Sequence, residues 1–265
     1  MLQPGELKKP IKFSHGRFVD HHTLRLFFRG FAAGEDKYRL FFWLLLETGM
    51  RVKEACAVQE RDFENDYQKL NFITCKTPHP SHRTLSPMLA RQIKTWCEFN
   101  RQRFQYDYIF PSGNPNKYLH MTPLNARQFL ARKRKQLRLD KPVRTITSPV
   151  GIGIAKSRIF HYYALSNHAF RRFYETNMTD LSNGNYILIA SIMQYDEPAI
   201  VRKYYDDMKS NQAEKALAKR YHEHIVSGIL TDRPMLPREQ KRLGAYTEES
   251  EPEEVWHAIK RIYNN

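Results

Sequence analysis

The stretch DKYRLFFWLLLETG, residues 36–49, constrains the fold of this chain more than any other segment. Apolar residues would cover most sides of a helix of this length, which predicts a helix buried at the centre of a core. Gly49 is placed to end that helix as a C-cap. The longest apolar run, Leu40–Leu46, is too short to span a membrane, and the N-terminal MLQPGELKKPIK lacks the apolar core of a signal peptide. We therefore expect an intracellular protein with no membrane partner.

Helical spacing of apolar residues dominates the rest of the chain, with one interruption by short β-type runs. The predicted helices outside the central one cover 21–33, 88–104, 122–139 and 211–230. KLNFITCK alternates apolar and polar residues, TPHPSH follows as a proline-rich turn, and RTLSPM returns as a second strand. Residues 141–165 fit either a strand pair or an ordered loop, with His161 interpreted as structural. The sequence therefore predicts a mainly α fold with a small antiparallel β-sheet, of the α+β class.

The charge balance favours a polyanionic partner, of which nucleic acid is the commonest. Lys and Arg outnumber Asp and Glu by 43 to 28, giving a formal net charge of +15. The predicted helix 122–139 ends in the cationic run ARKRKQLR, for which a solvated face is the alternative to a DNA contact. The residues of this run that we expect on a DNA backbone are Arg132, Lys133, Arg134 and Lys135. The three cysteines show no metal-binding spacing, so no metal site is predicted.

Residues 166–207 combine side chains suited to chemistry on a phosphodiester. SNHAFRRF places His168 and Arg171 three residues apart, on one face of a helix. The same stretch ends with Arg202, Lys203, Tyr204 and Tyr205. Arginine matches two phosphate oxygens, histidine moves a proton near neutral pH, and tyrosine can act as a covalent nucleophile. The alternative is a basic helix followed by a buried aromatic helix.

Two further basic residues, Arg51 and Lys76, lie at predicted turns. Arg51 follows the cap at Gly49, so a buried helix would hold it rigidly in a cleft, unless it is a solvated surface residue. Lys76 lies where the first strand of the hairpin enters its turn. A lysine there can be the general acid for a leaving group, because a cationic site lowers its pKa towards neutrality. A plain phosphate contact or a solvated charge is the alternative.

Along the chain, an arginine after a helix-ending Thr-Gly is followed by a lysine in a hairpin, an H-x-x-R motif on a helix and a tyrosine. This order resembles the catalytic domain of the tyrosine recombinases, the phage integrase family. LLLETGMRVKEACAVQERDF is similar to the first arginine motif of that family, ITCKTPHPSHRTLSP to its lysine hairpin, YIFPSGNP to its FPS stretch and HAFRRF to its H-x-x-R motif. The resemblance covers about 35–210. We expect a basic arm and first helix in 1–34, the catalytic domain in 35–210, and C-terminal helices in 211–265 that form a candidate segment for exchange between subunits.

The resemblance implies roles for named residues. The implied catalytic residues are Arg51, Lys76, His168, Arg171, Tyr195 and Tyr204. Tyr204 is favoured over Tyr205 as nucleophile because it lies nine residues after Tyr195, which stands where the family usually has histidine or tryptophan. Arg83 occupies the basic slot of the second hairpin strand. It joins the expected DNA contacts together with Arg172, Arg202 and Lys203.

The activity implied by the resemblance is site-specific recombination through a 3′-phosphotyrosyl intermediate, with no metal or nucleotide cofactor. The implied partners are double-stranded DNA and further copies of the chain, as a tetramer on DNA in the nucleoid or in a host cell. A type IB topoisomerase and a non-catalytic DNA-binding protein on a recombinase scaffold are the alternatives. Residues 1–34 are too few for the clamping domain that family members carry, so we interpret the chain as a minimal or truncated member, or as a catalytic fragment.

Overall fold

Helix α2 (Asp36–Thr48) lies at the centre of the core, as its apolar sequence predicts. The computed structural model describes residues 19–75, 78–103, 107–113, 119–149, 157–193 and 210–230. Every α2 residue from 40 to 48 is buried. Gly49 follows in the left-handed conformation, with a φ of 60°, and its N–H donates to the carbonyl of Leu45. The predicted C-cap is therefore confirmed.

The predicted helices that fall within the described residues occur in the predicted order with adjusted ends, and α7 (Tyr186–Met193) is a further helix that was not predicted. The described helices other than α2 are α1 (His21–Arg29), α3 (Val52–Cys56), α4 (Pro87–Arg103), α5 (Pro123–Gln136), α6 (Asn167–Leu181), α7, α8 (Ser210–Tyr221) and α9 (Ser227–Leu230), with a π-helical stretch His222–Val226 between the last two and a short 3₁₀ helix Glu60–Asp62. The N–H of Asn125 donates to the Thr122 hydroxyl at 3.2 Å, so α5 begins at the predicted cap. Among the described residues, no helix has the length and apolar character needed to cross a membrane.

A small antiparallel sheet interrupts the helices, and the α+β fold class is thereby confirmed. Its strands are β1 (Phe63–Glu64), β2 (Lys69–Ile73) and β3 (Pro80–Thr84), in that order across the sheet. The predicted second strand, 83–88, was placed too late, because β3 begins inside the proline-rich segment and α4 already opens at Pro87. The Ser86 hydroxyl accepts from the N–H of Leu89 at 3.1 Å. This cap fixes the start of α4 and so ends the strand before it.

A separate two-stranded ribbon lies between α5 and α6 in the sequence. Strands β4 (Arg144–Pro149) and β5 (Ser157–Tyr162) are antiparallel and pair only with each other among the described strands. Of the two interpretations of 141–165, the strand pair is therefore the correct one. His161, which was interpreted as structural, is exposed on this ribbon.

Aromatic side chains hold α2 against its neighbours. The ring of Phe42 lies 5.2 Å from that of Phe27 on α1 and 5.2 Å from that of Phe170 on α6, measured between centroids. Phe41 meets Phe110 edge-on, also at 5.2 Å. Each such pair contributes about 0.5–1.5 kcal/mol beyond the burial of its area. The contact between α2 and α6 matters most for the site, because Arg51 lies just after α2 and Arg171 lies on α6.

The helical stretch 210–230 packs within its own chain. Tyr221 is fully buried, lies edge-on to Tyr174 of α6 at 5.1 Å, and donates its hydroxyl to the carbonyl of Leu46 at 2.8 Å. This stretch belongs to the segment for which exchange between subunits was predicted. The exchange stays a prediction for the whole of 211–265, of which 231–265 lie outside the described residues.

Replacing Gly49 with alanine is expected to destabilise the fold by about 2–5 kcal/mol, because left-handed backbone and overpacking both add cost. A Cβ at this position would lie 2.5 Å from Cδ1 of Tyr174. Gly34→Ala is the matched control, since Gly34 also has a positive φ, of 85°, but has nothing within 4 Å of an added Cβ. Chemical denaturation of both variants measures the difference. Equal losses of unfolding free energy would mean that contact with Tyr174 does not constrain this turn.

Candidate active site

Arg171 lies on α6 and is buried, and three nitrogens of its guanidinium each contact another residue. Its Nη1 donates to the carbonyl of Gly49 at 2.8 Å, and its Nη2 donates to the carbonyl of Met193 at 3.1 Å. Its Nε forms an ion pair with Glu175 at 3.0 Å. The carbonyls at the end of a helix have no partner within that helix. The guanidinium therefore satisfies the end of α2 and also links it to the last residue of α7.

Arg51 stands at the start of α3, two residues after Gly49. Its side chain is 22% exposed, and its Nη1 lies 3.0 Å from Oε1 of Glu54. The backbone N–H of Arg51 also donates to Oε2 of the same carboxylate, at 2.7 Å. Main chain and guanidinium are thus both held by one buried acid. The interpretation of Arg51 as a freely solvated residue does not fit this arrangement.

Glu54 also connects this turn to the lysine hairpin. Its Oε1 accepts the backbone N–H of Cys75 at 3.0 Å, two residues after the end of β2. Burial alone would raise the pKa of Glu54, but the hydrogen bonds from Cys75 and Arg51 and the nearby guanidinium hold that pKa below its usual value. The acid is therefore ionised when it bridges Arg51 and the residue that precedes Lys76.

His168 lies in the first turn of α6, one turn before Arg171. The two residues were predicted to share a helix face, and their burial differs: His168 is exposed, while Arg171 is 8% exposed. An exposed imidazole beside an anchored guanidinium can exchange a proton with a bound substrate, while the arginine keeps its position.

Several predicted site residues lie outside the described residues. They are Lys76, Tyr195, Arg202, Lys203 and Tyr204. The described chain does reach both sides of the tyrosine-bearing stretch, at Met193 and at Ser210. Met193 is buried, and its carbonyl accepts a hydrogen bond from Arg171.

Arg83 is placed differently from its predicted role as a DNA contact. It is 3% exposed, and its Nε donates to the carbonyl of Thr48 at 3.0 Å. Its Nη1 donates to the Ser81 hydroxyl at 3.1 Å and to the carbonyl of His82 at 2.6 Å. Its guanidinium also covers the ring of Phe72. Arg83 therefore links β3 to the C-terminal end of α2. A side chain this deeply buried is not available to contact a DNA phosphate.

Lys133 also departs from its predicted role on a DNA backbone. It is 1% exposed, its Nζ donates to the carbonyl of Gly30 at 2.7 Å, and it forms an ion pair with Glu35. The rings of Phe31 and Phe129 flank the ammonium group. The side chain joins α5 to the turn after α1. Lys133 is therefore a buried cation paired with Glu35, and it is not part of a cationic surface.

The other predicted DNA contacts differ in exposure. Arg132 and Lys135 are exposed on α5, and Arg172 is partly exposed on α6. Arg134 is partly buried, because its Nη1 donates to the carbonyl of Leu165 at 2.8 Å and its guanidinium stacks 3.9 Å from the ring centre of Tyr163. DNA contact remains a prediction for all four, with Arg132 and Lys135 the most accessible.

Glu47 was not singled out from the sequence, although it is a buried acid beside the site. It accepts the indole N–H of Trp43 at 2.7 Å and both the N–H and the hydroxyl of Ser86, and Nε2 of His222 lies 3.4 Å away. An acid four residues after a tryptophan inside an apolar run was the available signal. In the described part of the chain, no three His, Cys, Asp or Glu side chains are grouped to hold a metal ion.

Comparison with known proteins identifies a family over most of this region. The sequence model of the phage integrase family matches residues 29–211. The matched range contains Arg51, His168 and Arg171, together with the undescribed Lys76 and Tyr204. No curated protein matches the chain significantly.

Solved structures of recombinases are similar to this fold. The XerH site-specific recombinase, in a pre-cleavage complex with its difH substrate, has a TM-score of 0.50 and 16% sequence identity, covering 74% of this chain and 52% of that one. The XerA recombinase has a TM-score of 0.51 and 17% identity, covering 84% of this chain and 69% of that one. This chain thus spans about half the length of XerH. At these identities the similarity concerns the fold.

Proposed function

Because the chain belongs to the phage integrase family, we propose that it is a site-specific recombinase, which cleaves and rejoins duplex DNA through a 3′-phosphotyrosyl intermediate. One contact carries the proposal. The hydrogen bond from Nη1 of Arg171 to the carbonyl of Gly49 joins residues 122 positions apart in the chain. It brings α6 to the turn that precedes Arg51, which supports the proposal that the two predicted phosphate-binding arginines act in one site.

In the proposed cleavage step, the Tyr204 hydroxyl attacks the scissile phosphorus and the bond from phosphorus to the 5′-oxygen breaks. The tyrosine proton passes to His168, and Lys76 donates a proton to the leaving 5′-oxygen. The products are a 3′-phosphotyrosyl link and a free 5′-hydroxyl. Tyrosine has an ordinary pKa of about 10, so attack at neutral pH requires a base such as His168. Rejoining reverses these steps on a new 5′-hydroxyl.

The arginines supply the electrostatic part of the mechanism. Arg51 and Arg171 hold the two non-bridging oxygens, whose negative charge grows in the transition state, and the Tyr195 hydroxyl donates a further hydrogen bond. Preorganised donors act without reorganisation at the moment of reaction, and losing one costs about 10²–10³ in rate. The anchoring of Arg171 on backbone carbonyls and of Arg51 on Glu54 supports such preorganisation.

Glu54 is a positioning residue in this proposal. Its carboxylate binds Arg51 and the N–H of Cys75, so the phosphate-binding arginine and the residue before the proposed general acid share one anchor. A change in the hairpin would be transmitted to Arg51 through this acid. The arrangement supports Lys76 as part of the same site.

Double-stranded DNA is the proposed substrate, and a tetramer on two duplexes the proposed assembly. The net charge of +15 and the exposed Arg132 and Lys135 on α5 support binding to a polyanion. A DNA-associated location in the cell follows from this substrate. Residues 211–265 are the proposed exchange segment between copies.

Covalent capture tests the proposal. A duplex nicked beside the cleavage point traps the intermediate, because the short freed strand diffuses away before rejoining. Pools of such duplexes from the DNA flanking the gene itself, incubated with the chain and a chelator, should yield a protein–DNA adduct on a denaturing gel. A duplex without the nick is the control, and should give less adduct because rejoining competes.

The outcomes separate the rival functions. An adduct that is followed by strand transfer between two duplexes supports a recombinase. Relaxation of supercoiled DNA by a monomer without strand transfer identifies a type IB topoisomerase-like enzyme. Tight DNA binding with no adduct on any pool refutes the catalytic proposal and leaves a DNA-binding protein on this scaffold.

A further inference from the structure

The β4–β5 ribbon carries an exposed face that none of the proposed catalytic steps uses. Thr145 pairs directly with His161 across the ribbon, and Ile159 lies two residues from His161 on the same face. Thr145 and His161 are exposed, and Ile159 is 59% exposed. The Thr145 hydroxyl lies 3.1 Å from Nδ1 of His161, so the two polar groups form one unit. The face thus presents hydrogen-bonding groups beside one large apolar side chain.

The base of the ribbon is held firmly to the catalytic core. Arg134 of α5 stacks on Tyr163, just after β5, and bonds the carbonyl of Leu165, just before α6. The N–H of Val143 donates to the carbonyl of Tyr162 at 2.8 Å, which continues the strand pairing to the ribbon's first residue. The direction of the ribbon is therefore set relative to α6, the helix of His168 and Arg171.

The charge of the whole ribbon segment indicates its partner, although strand alternation puts Arg144 and Arg158 on the face opposite Thr145, His161 and Ile159. Residues 141–163 contain four Lys and Arg residues and no Asp or Glu. A two-stranded ribbon alone is marginally stable in water, and an isoleucine on an open face adds apolar surface to it. A polyanion that surrounds the ribbon would meet the cations of one face with its charged groups and Ile159 on the other face with its apolar groups. Duplex DNA is such a partner, because its major groove admits a two-stranded ribbon and displays thymine methyl groups beside hydrogen-bonding base edges.

We infer that the β4–β5 ribbon enters the major groove next to the cleavage point and reads base edges through Thr145, His161 and Ile159. Six-residue strands span about 20 Å, enough to follow the groove over several base pairs. Thr145 and His161 contact polar base edges, and Ile159 contacts a thymine methyl group. This inference rests on the proposed function, since it takes duplex DNA as the substrate. It adds a determinant of sequence choice to a site whose catalytic groups contact only phosphate.

Selection from a library of duplexes with a randomised central region tests the ribbon, because such a library offers every short target sequence at once. The wild-type chain should enrich a motif. The double variant Thr145→Val, His161→Ala should lose selectivity at part of that motif, with preference for it over a scrambled duplex falling about tenfold. Ile159→Ser, a second variant, should lose preference for thymine at one position.

A matched control changes the same residue types elsewhere. His22→Ala with Thr95→Val alters exposed side chains on α1 and α4, and should enrich the wild-type motif unchanged. Circular dichroism and thermal unfolding verify that every variant folds. The inference is overturned if the ribbon variants and the wild type enrich one motif equally, or if the wild type binds duplexes without enriching any motif. A wild-type chain that retains no duplex at all refutes the proposed function instead.

Discussion

Tyr204→Phe is expected to abolish the covalent DNA adduct while leaving DNA affinity within about twofold of wild type, because only a nucleophilic hydroxyl is removed. Tyr204 is the nucleophile of the proposed mechanism, in which the other tyrosine, Tyr195, acts only as a hydrogen-bond donor. The measurement is adduct formation on the nicked duplex, with equilibrium binding on the intact duplex. Peptide mapping of the wild-type adduct should identify the modified residue directly.

Tyr205→Phe is the matched control, since it removes the same atom from the adjacent residue. It should retain the adduct. Loss of the adduct in Tyr205→Phe with retention in Tyr204→Phe would assign the nucleophile to Tyr205. Retention in both single variants would move the chemistry to a different tyrosine and contradict the assignment.

Arg171→Ala is expected to slow single-turnover cleavage by about 10²–10³ and to destabilise the fold. Each buried carbonyl left without its donor costs about 1–3 kcal/mol, and Arg171 serves the carbonyls of Gly49 and Met193. The alanine variant therefore mixes two effects. Arg171→Lys keeps the positive charge and much of the buried stem but loses the planar fork.

The lysine variant distinguishes catalysis from anchoring. It should remain folded at the assay temperature and bind DNA nearly as wild type does, while still cleaving about 10²-fold more slowly. Arg172→Ala is the neighbouring control on α6; it should affect cleavage little and reduce the salt dependence of binding by at most about 0.9 in log–log slope. Cleavage by Arg171→Lys at the wild-type rate would reduce Arg171 to a structural anchor.

Local signals in the sequence were sufficient for the centre of the fold. The apolar run of α2, its cap at Gly49 and the start of α5 at Thr122 each depend on residues within one or two turns. Such features are encoded by neighbouring side chains and do not depend on distant tertiary contacts. The same holds for the spacing of His168 and Arg171, which α6 carries as predicted.

The predicted DNA contacts that the structure does not support, Lys133 and Arg83, have partners that are distant in the sequence. Lys133 was assigned to DNA because it lies in a cationic run, yet it falls on the helix face of Ala126, Phe129 and Leu130, all buried. That periodicity was available in the sequence. Its counter-ion Glu35, 98 residues away, was not.

Arg83 shows the same limit in a strand. Its side chain lies opposite the buried Leu70, so the pairing register decides that it points into the core. The sequence identified the hairpin but placed the second strand too late. Its hydrogen bond to the carbonyl of Thr48 spans 35 residues and has no local signature.

The last turn of α2 has a consequence for the order in which parts of the fold form during synthesis. The carbonyls of Leu46, Thr48 and Gly49 are bound by Tyr221, Arg83 and Arg171, so groups from widely separated parts of the chain complete one helix end. A nascent chain emerges from its N-terminus, and contacts that span long sequence separations form late. The turn that bears Arg51 is therefore synthesised long before Tyr221 is available to bind the carbonyl of Leu46. The full set of contacts at this helix end therefore forms only after the helices that follow α6 have been synthesised.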